Sequence, residues 1–174
     1  HPLLEEFGVA TIAGNYDESL ANRLAGCGCG YTHPSDNHFA QLSYDYTNRR
    51  TTDEERRRLA ALPRSLRFTR RGRRYLLCHG SPRRTNEFLW ESACSDAFLM
   101  RLAHDAEADT VLCTHTGIHW QRLLPGGSRI VNVDPFPTWL SRMILAPIRV
   151  MSFSAIASPS PTPPWLLVSW LNPC

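Results

Sequence analysis

Three short segments, Gly14-Asn15-Tyr16-Asp17, Cys78-His79-Gly80-Ser81-Pro82 and Cys113-Thr114-His115-Thr116-Gly117, hold between them one side-chain amide and two imidazoles. Each follows an apolar run: Val9-Ala10-Thr11-Ile12, Tyr75-Leu76-Leu77 and Thr110-Val111-Leu112. In an α/β sheet, the loops beyond the carboxyl ends of such strands gather along one edge, where sites form. Asn15, His79 and His115 mounted there can meet around a metal ion.

The elements that must position them read as strand 9–13, helix 17–25, an aromatic-containing loop over 30–46 and helix 53–61. They continue as hairpin strands 66–70 and 74–78, helix 95–106, strand 110–113, and hairpin strands 119–124 and 129–133. Gly72 marks the first hairpin turn and Gly126-Gly127 the second. Thr52 with Glu55 forms a capping box, and Ser95 caps the following helix. No internal repeat is visible.

A length of 174 residues, with 43% hydrophobic and 20% charged, suits one hydrophobic core. All 19 basic residues are Arg, and thirteen of them lie between Arg49 and Arg84. Acids alternate with them through Thr52-Asp53-Glu54-Glu55-Arg56-Arg57-Arg58, which reads as a solvated helix face rather than a nucleic-acid groove. The apolar stretch Trp165–Leu171 is too short to cross a bilayer.

Cys78 and Cys113 precede the motif residues at strand ends and read as small buried hydrophobes. Cys27-Gly28-Cys29, followed by His33 and His38, could hold zinc, but structural zinc sites favour roughly two to four intervening residues. A glycine-rich turn closing the helix that begins near Asp17 fits better. Without paired spacings or an export pattern, the expectation is free thiols in a reducing, cytoplasmic compartment.

In this order the three segments resemble the motifs of the calcineurin-like metallophosphoesterases, whose usual forms are Gly-Asn-His-Asp, a strand-terminal His-Gly and Gly-His-x-His. The likeness covers roughly Phe7 to Val133, and the stretch Leu77–Leu89, with its His-Gly-Ser-Pro loop, resembles the bacterial single-domain branch. It implies an α/β fold (an α+β sandwich) with a two-sheet β core flanked by helices, here lacking the opening β-α-β unit. It also implies divalent Mn, Zn or Fe and hydrolysis of a phosphomonoester or phosphodiester by a two-metal mechanism. The implied partner is a phosphate-ester small molecule or nucleotide, not nucleic acid and not a membrane; the oligomeric state stays open. Carried over by position, Asn15, His79 and His115 correspond to the terminal ligands of one metal. Arg83 and Arg84 follow the His79 loop and could pair with phosphate oxygens through their forked donors, with a solvent-facing role an even alternative.

The departures matter as much. The family's Asp-x-His and Gly-Asp motifs, which supply the other metal and the bridging carboxylate, are not found, and the position of the second His in Gly-His-x-His is Gly117. His119 lies two residues on, within an alternating strand-like run, and is the weaker candidate. Tyr16 stands where the family carries the His that helps protonate the leaving group, and a phenol with a pKa of about 10 substitutes poorly for it. The chain opens at His1-Pro2, so the expectation is an N-terminally truncated enzyme with metal binding weak or absent and no hydrolysis of its own. The alternative is a non-catalytic remnant, a phosphate or nucleic-acid binding module with an Arg-rich surface.

Two regions are expected: 1–133, a partial metallophosphoesterase domain, and 134–174, a Pro/Ser/Trp-rich tail. Residues 135–174 hold no Asp, Glu or His but eight of the thirteen prolines and three of the five tryptophans. Where the family continues Asn-Val-Gly-Ser, this chain has Asn132-Val133-Asp134-Pro135. Loss of one G from GGA-TCC-GTT turns Gly-Ser into Asp-Pro, so the tail reads as out of frame or disordered.

Overall fold

Four short apolar runs and one amphipathic helix account for the centre of the molecule, in a computed structural model that describes residues 6–134 and 151–152. β1 (Thr11–Ile12) leads into α1 (Asn15–Ala21), α2 (Pro34–Arg50) and α3 (Asp53–Ala60). The hairpin β2 (Ser65–Arg70) and β3 (Arg73–Cys78) follows, then α4 (Asp96–Asp105), β4 (Thr110–Cys113), β5 (Trp120–Leu123) and β6 (Arg129–Asn132). A last pair of residues, β7 (Met151–Ser152), runs parallel to β1.

β2 to β6 form one mixed sheet in the order β2-β3-β4-β6-β5. The parallel pairs are β3 with β4 and β4 with β6; both outer pairs are antiparallel. The fold is therefore α/β, with helices flanking a mixed sheet. The first hairpin closes through Arg71 and Gly72, both at positive φ, the geometry that matches a tight turn to strand twist. β4 lies at the centre with all four residues buried, which is why Thr110-Val111-Leu112-Cys113 reads as a continuous apolar run without alternation.

α4 is capped by the Ser95 hydroxyl, which accepts from the Phe98 N–H, and it is the crossover that a parallel β3–β4 pair requires. Its Leu99, Leu102 and Ala103 pack on Leu76, Val111 and Ile130. On the opposite side of the sheet, Ile12, Leu77 and Leu112 pack together beside Phe68 and Tyr75, which stack across the β2–β3 pair.

Two expectations need correction. Pro34–Arg50 form a helix over most of the stretch 30–46 expected as a loop. Pro34 opens it, Asp36 sits in its first turn, and Arg49 and Arg50 sit in its last, all favourable to the helix dipole. Tyr44 alone in α2 is buried, so no apolar stripe betrays the period. Cys27 and Cys29, expected as free thiols, are joined by a disulfide, because Gly28 at φ +60° turns the chain enough to bring their Cα atoms to 5.2 Å. The tail 134–174, expected to be out of frame or disordered, lies outside the described residues apart from the buried Asp134 and Met151–Ser152. No helix among the described residues is long and apolar enough to cross a membrane.

α1, α2 and α3 meet around Leu20, Tyr44 and the Cys27–Cys29 disulfide. At their junction Arg56, buried on α3, donates to the Leu20 carbonyl at 2.6 Å and to the Asn48 carbonyl and side-chain oxygen at 2.7 Å. Leu20 and Asn48 lie in the last turns of α1 and α2, so the guanidinium sits against two helix C-termini, where partial negative charge collects. Arg56→Met should lower unfolding free energy by about 3 kcal/mol, since it strands buried carbonyl acceptors. Urea denaturation followed by circular dichroism measures this, and a midpoint within error of the parent would refute it.

Candidate functional site

The β3–β4 register pairs Leu77 with Leu112, so the next residues on both strands emerge side by side at the carboxyl edge. His79 leaves β3 into a loop that only glycine can follow. Gly80 sits at φ +68°, and a Cβ there would come within 2.6 Å of the carbonyl oxygens of Arg84 and Thr85. Thr114 leaves β4, with its hydroxyl 2.6 Å from His79 Nδ1. His115 follows at φ 93°, a conformation that costs a non-glycine residue and persists only where the surroundings enforce it. The buried Asp134 carboxylate enforces it, accepting from the His115 and Gly117 N–H groups at 3.2 and 2.7 Å and from the Thr116 hydroxyl at 3.2 Å.

Asn15 opens α1 and is buried. Its Oδ1 lies 3.0 Å from His79 Nε2, which in turn lies 3.0 Å from His115 Nδ1. The structure thus brings the three motif residues together. Their orientations are set by what lies behind them. Asn15 Nδ2 donates to the Cys27 carbonyl at 3.0 Å and to Cys29 Sγ at 3.4 Å, which turns Oδ1 toward the imidazoles. His115 Nε2 lies 3.1 Å from the Cys29 carbonyl, an acceptor only, so the proton sits on Nε2 and the Nδ1 lone pair faces His79. Thr114 can accept from or donate to His79 Nδ1, so His79 can present either a proton or a lone pair at Nε2.

This donor set fits a divalent ion. Metal bonds of about 2.1 Å at right angles place neighbouring donors about 3.0 Å apart, the same separation as the two hydrogen-bond contacts of His79 Nε2. Imidazole nitrogen and amide oxygen suit Mn, Zn or Fe. Among the described residues no three His, Cys, Asp or Glu side chains come together, so neither a carboxylate nor His119 joins His79 and His115. The set is neutral.

Burial and the neighbouring His115 push His79 down to about 3. Burial also lowers His115, despite the opposing pull of the Cys29 carbonyl and Asp134. Both imidazoles are therefore neutral around pH 7, as metal ligands must be. Asp17, one turn into α1, moves the other way. Burial raises it to about 6, against the Gly14 N–H that donates to it at 2.7 Å.

Other candidates are placed differently. The Tyr16 hydroxyl donates to the Ala40 carbonyl at 3.2 Å and its ring packs edge-on against Tyr44, so it braces α1 on α2. Burial raises its pKa further from any role in proton transfer. Arg83 is held by Glu87 and lies over the Phe98 ring. Arg84 lines a cleft of about 450 Å³ beside His79, together with Arg64, Arg67, Ser81 and Arg83. Cys78 is buried and its thiol is pushed up to about 12, a packing role, as is that of Cys113.

Three features of the site were not read from the sequence. They are the Asp134 clamp, the Cys27–Cys29 backing, and an aromatic wall in which Phe88 contacts His115 with centroids 4.4 Å apart and stacks on Trp90. The Phe88-Leu89-Trp90 run was the available signal for the wall. Asp134 and the cysteines are separated from the residues they hold by 12 or more positions, and the cysteines act mainly through backbone carbonyls, which composition does not reveal.

No protein-family model and no curated protein matches this chain. Among solved structures, a hypothetical protein from Pyrococcus horikoshii OT3 aligns at 19% identity and TM-score 0.53, over 72% of this chain and 52% of that one. A metallophosphoesterase from Sphaerobacter thermophilus aligns at 17% identity and TM-score 0.45, over 71% of this chain and 53% of that one. The chain spans about half the length of these structures. The likeness to the Pyrococcus protein shows a shared fold.

Titration links site and stability. A base depressed on folding binds fewer protons folded than unfolded, so His79 contributes stability that is lost as pH falls from about 6.5 toward 3. Asp17, raised to about 6, does the reverse: its proton is held by the folded form and released by the unfolded chain, so its contribution grows as pH falls from 6 to about 4. Asp17→Asn, which keeps an acceptor for Gly14, should therefore make the urea midpoint fall more steeply between pH 6 and 4 than in the parent. Parallel pH profiles would show that Asp17 is not perturbed.

Proposed function

We propose that this chain carries one metal position of a phosphoesterase site of the two-metal kind its motifs resemble, whose substrate is a phosphomonoester or phosphodiester, and that it binds phosphate there without turning it over by itself. The observation that supports this reading is the convergence of Asn15 Oδ1, His79 Nε2 and His115 Nδ1 at 3.0 Å spacing on the carboxyl edge of the sheet. A divalent ion held there would supply Lewis acidity toward a phosphoryl oxygen.

The chain's own residues do the rest. Asn15 presents its oxygen, because its nitrogen is bound to Cys27 and Cys29. His115 presents Nδ1, because Nε2 is bound to the Cys29 carbonyl. Buried neutral donors leave the charge of a divalent ion uncompensated, which favours an anion over water as the ligand that completes the site, and a phosphate ester is one. Arg84 lines a cleft that His79 shares but Asn15 and His115 do not, and Arg83 is already paired with Glu87.

The arginine-lined cleft also favours a second reading, a phosphate-binding module without turnover. Isothermal titration of the 174-residue chain with Mn²⁺ tests the site: binding should be weak alone and at least about tenfold tighter with inorganic phosphate present. His79→Ala should lose most of that affinity, at least the roughly 10- to 100-fold that removing even a partner behind a ligand costs. Hydrolysis of bis(p-nitrophenyl) phosphate should stay at background with Mn²⁺, since no carboxylate among the described residues joins the triad. Turnover that disappears in His79→Ala would show that a single position suffices for chemistry. Mn²⁺ affinity unchanged by phosphate and by His79→Ala would remove the proposal.

A further inference from the structure

The Cys27-Gly28-Cys29 turn backs two of the three triad residues. In three residues it supplies the Cys27 carbonyl and Cys29 sulfur to Asn15, at 3.0 and 3.4 Å, and the Cys29 carbonyl to His115, at 3.1 Å. Its outer side is pinned as well, with Asn86 Nδ2 donating to the Gly28 carbonyl at 2.7 Å. Both cysteines are buried and bonded to each other.

An amide is nearly symmetric in shape, so its packing alone does not decide whether oxygen or nitrogen faces the imidazoles. Hydrogen-bond partners decide, and both acceptors on the Nδ2 side come from the two cysteines. The His115 tautomer depends on the same turn, because the Cys29 carbonyl is what holds the proton on Nε2. We propose that the Cys27–Cys29 disulfide is the positioning element of the triad, holding the amide orientation and the imidazole tautomer that a cation needs, and that its reduction loosens both. This rests on the reading of Asn15, His79 and His115 as a cation site.

The redox step is a thiol–disulfide exchange with a dithiol. One S–S bond breaks, two S–H groups form on Cys27 and Cys29, and the dithiol closes to its own disulfide, so two electrons and two protons reach the cysteines. The two sulfurs, no longer bonded, must separate to van der Waals contact. Within so short a turn, that displaces the Cys29 sulfur, the flanking carbonyls, or both. Partners behind metal-binding side chains are typically worth about 10- to 100-fold in affinity, so the effect is measurable.

The test compares the full chain in its disulfide form, the same protein reduced with dithiothreitol and desalted anaerobically, and a Cys27→Ser/Cys29→Ser variant. Co²⁺ is titrated by its visible d–d absorption, and the metal-free His115 ring is observed by ¹⁵N NMR, with circular dichroism to verify folding. The disulfide form should show a single Nε2–H tautomer and bind Co²⁺ at least about tenfold tighter than the other two, in which both tautomers should appear. Equal affinity with an unchanged tautomer overturns the inference and leaves the cation site standing. A tautomer that still shifts with redox state while no form binds Co²⁺ upholds the positioning role and removes the cation reading. Should the serine variant not fold, Cys27→Ala/Cys29→Ala supplies the same comparison.

Discussion

The parallel register of β3 and β4 is the constraint on which the site depends. Pairing Leu77 with Leu112 sets His79 and Thr114 next to each other at the sheet edge, 2.6 Å apart at Nδ1 and Oγ1. A one-residue slip would turn alternate side chains to the opposite face and separate the two loops. What prevents the slip is burial on both faces of β4, with Val111 against α4 and Leu112 against Ile12 and Leu77. The hydrophobic core and the candidate site are thus one arrangement seen at two ends of the same strands.

The third donor comes from a different unit. Asn15 stands on α1, which packs with α2 and α3 around Tyr44 and the Cys27–Cys29 disulfide rather than against the centre of the sheet. Two kinds of interaction join the units: the short strand β1, whose Ile12 reaches the sheet's core, and polar contacts from the Cys27–Cys29 turn to His115 and Asn86. Polar contacts across such a junction are directional, and they can hold one amide orientation in a way that apolar packing cannot. That is the physical reason a turn with no reactive role of its own can govern a site.

Electrostatically the site is built to be neutral. Burial holds both imidazoles below their ordinary pKa, and the nearby Asp134 carboxylate is engaged with backbone N–H groups of the His115 loop. Lone pairs facing one another across 3.0 Å repel unless a proton or a cation lies between them. His79 Nε2 resolves this with a proton in the metal-free protein, helped by a Thr114 hydroxyl that can reverse its role. The same versatility lets the proton leave when something else takes its place.

Much of this was legible in the sequence because it is local. The Thr52–Glu55 capping box, Ser95 as a cap, the turn at Gly72, the buried runs of β3 and β4, and the three motif segments on strand ends all act within a few residues of where they are read. α2 was not legible because its polar faces carry no apolar period; tertiary contacts of Tyr44 hold it in place, including its hydroxyl on the Leu24 carbonyl at 2.8 Å. The disulfide was not legible because it depends on one left-handed glycine. Asp134 and the Cys29 carbonyl were invisible as site elements for a different reason: they reach His115 across 19 and 86 residues of chain. The sequence by itself determined which donors exist and that each follows a strand. Only the tertiary structure decided which atom of Asn15 and which nitrogen of His115 face His79, because those choices belong to hydrogen bonds between segments that meet only when the chain has folded.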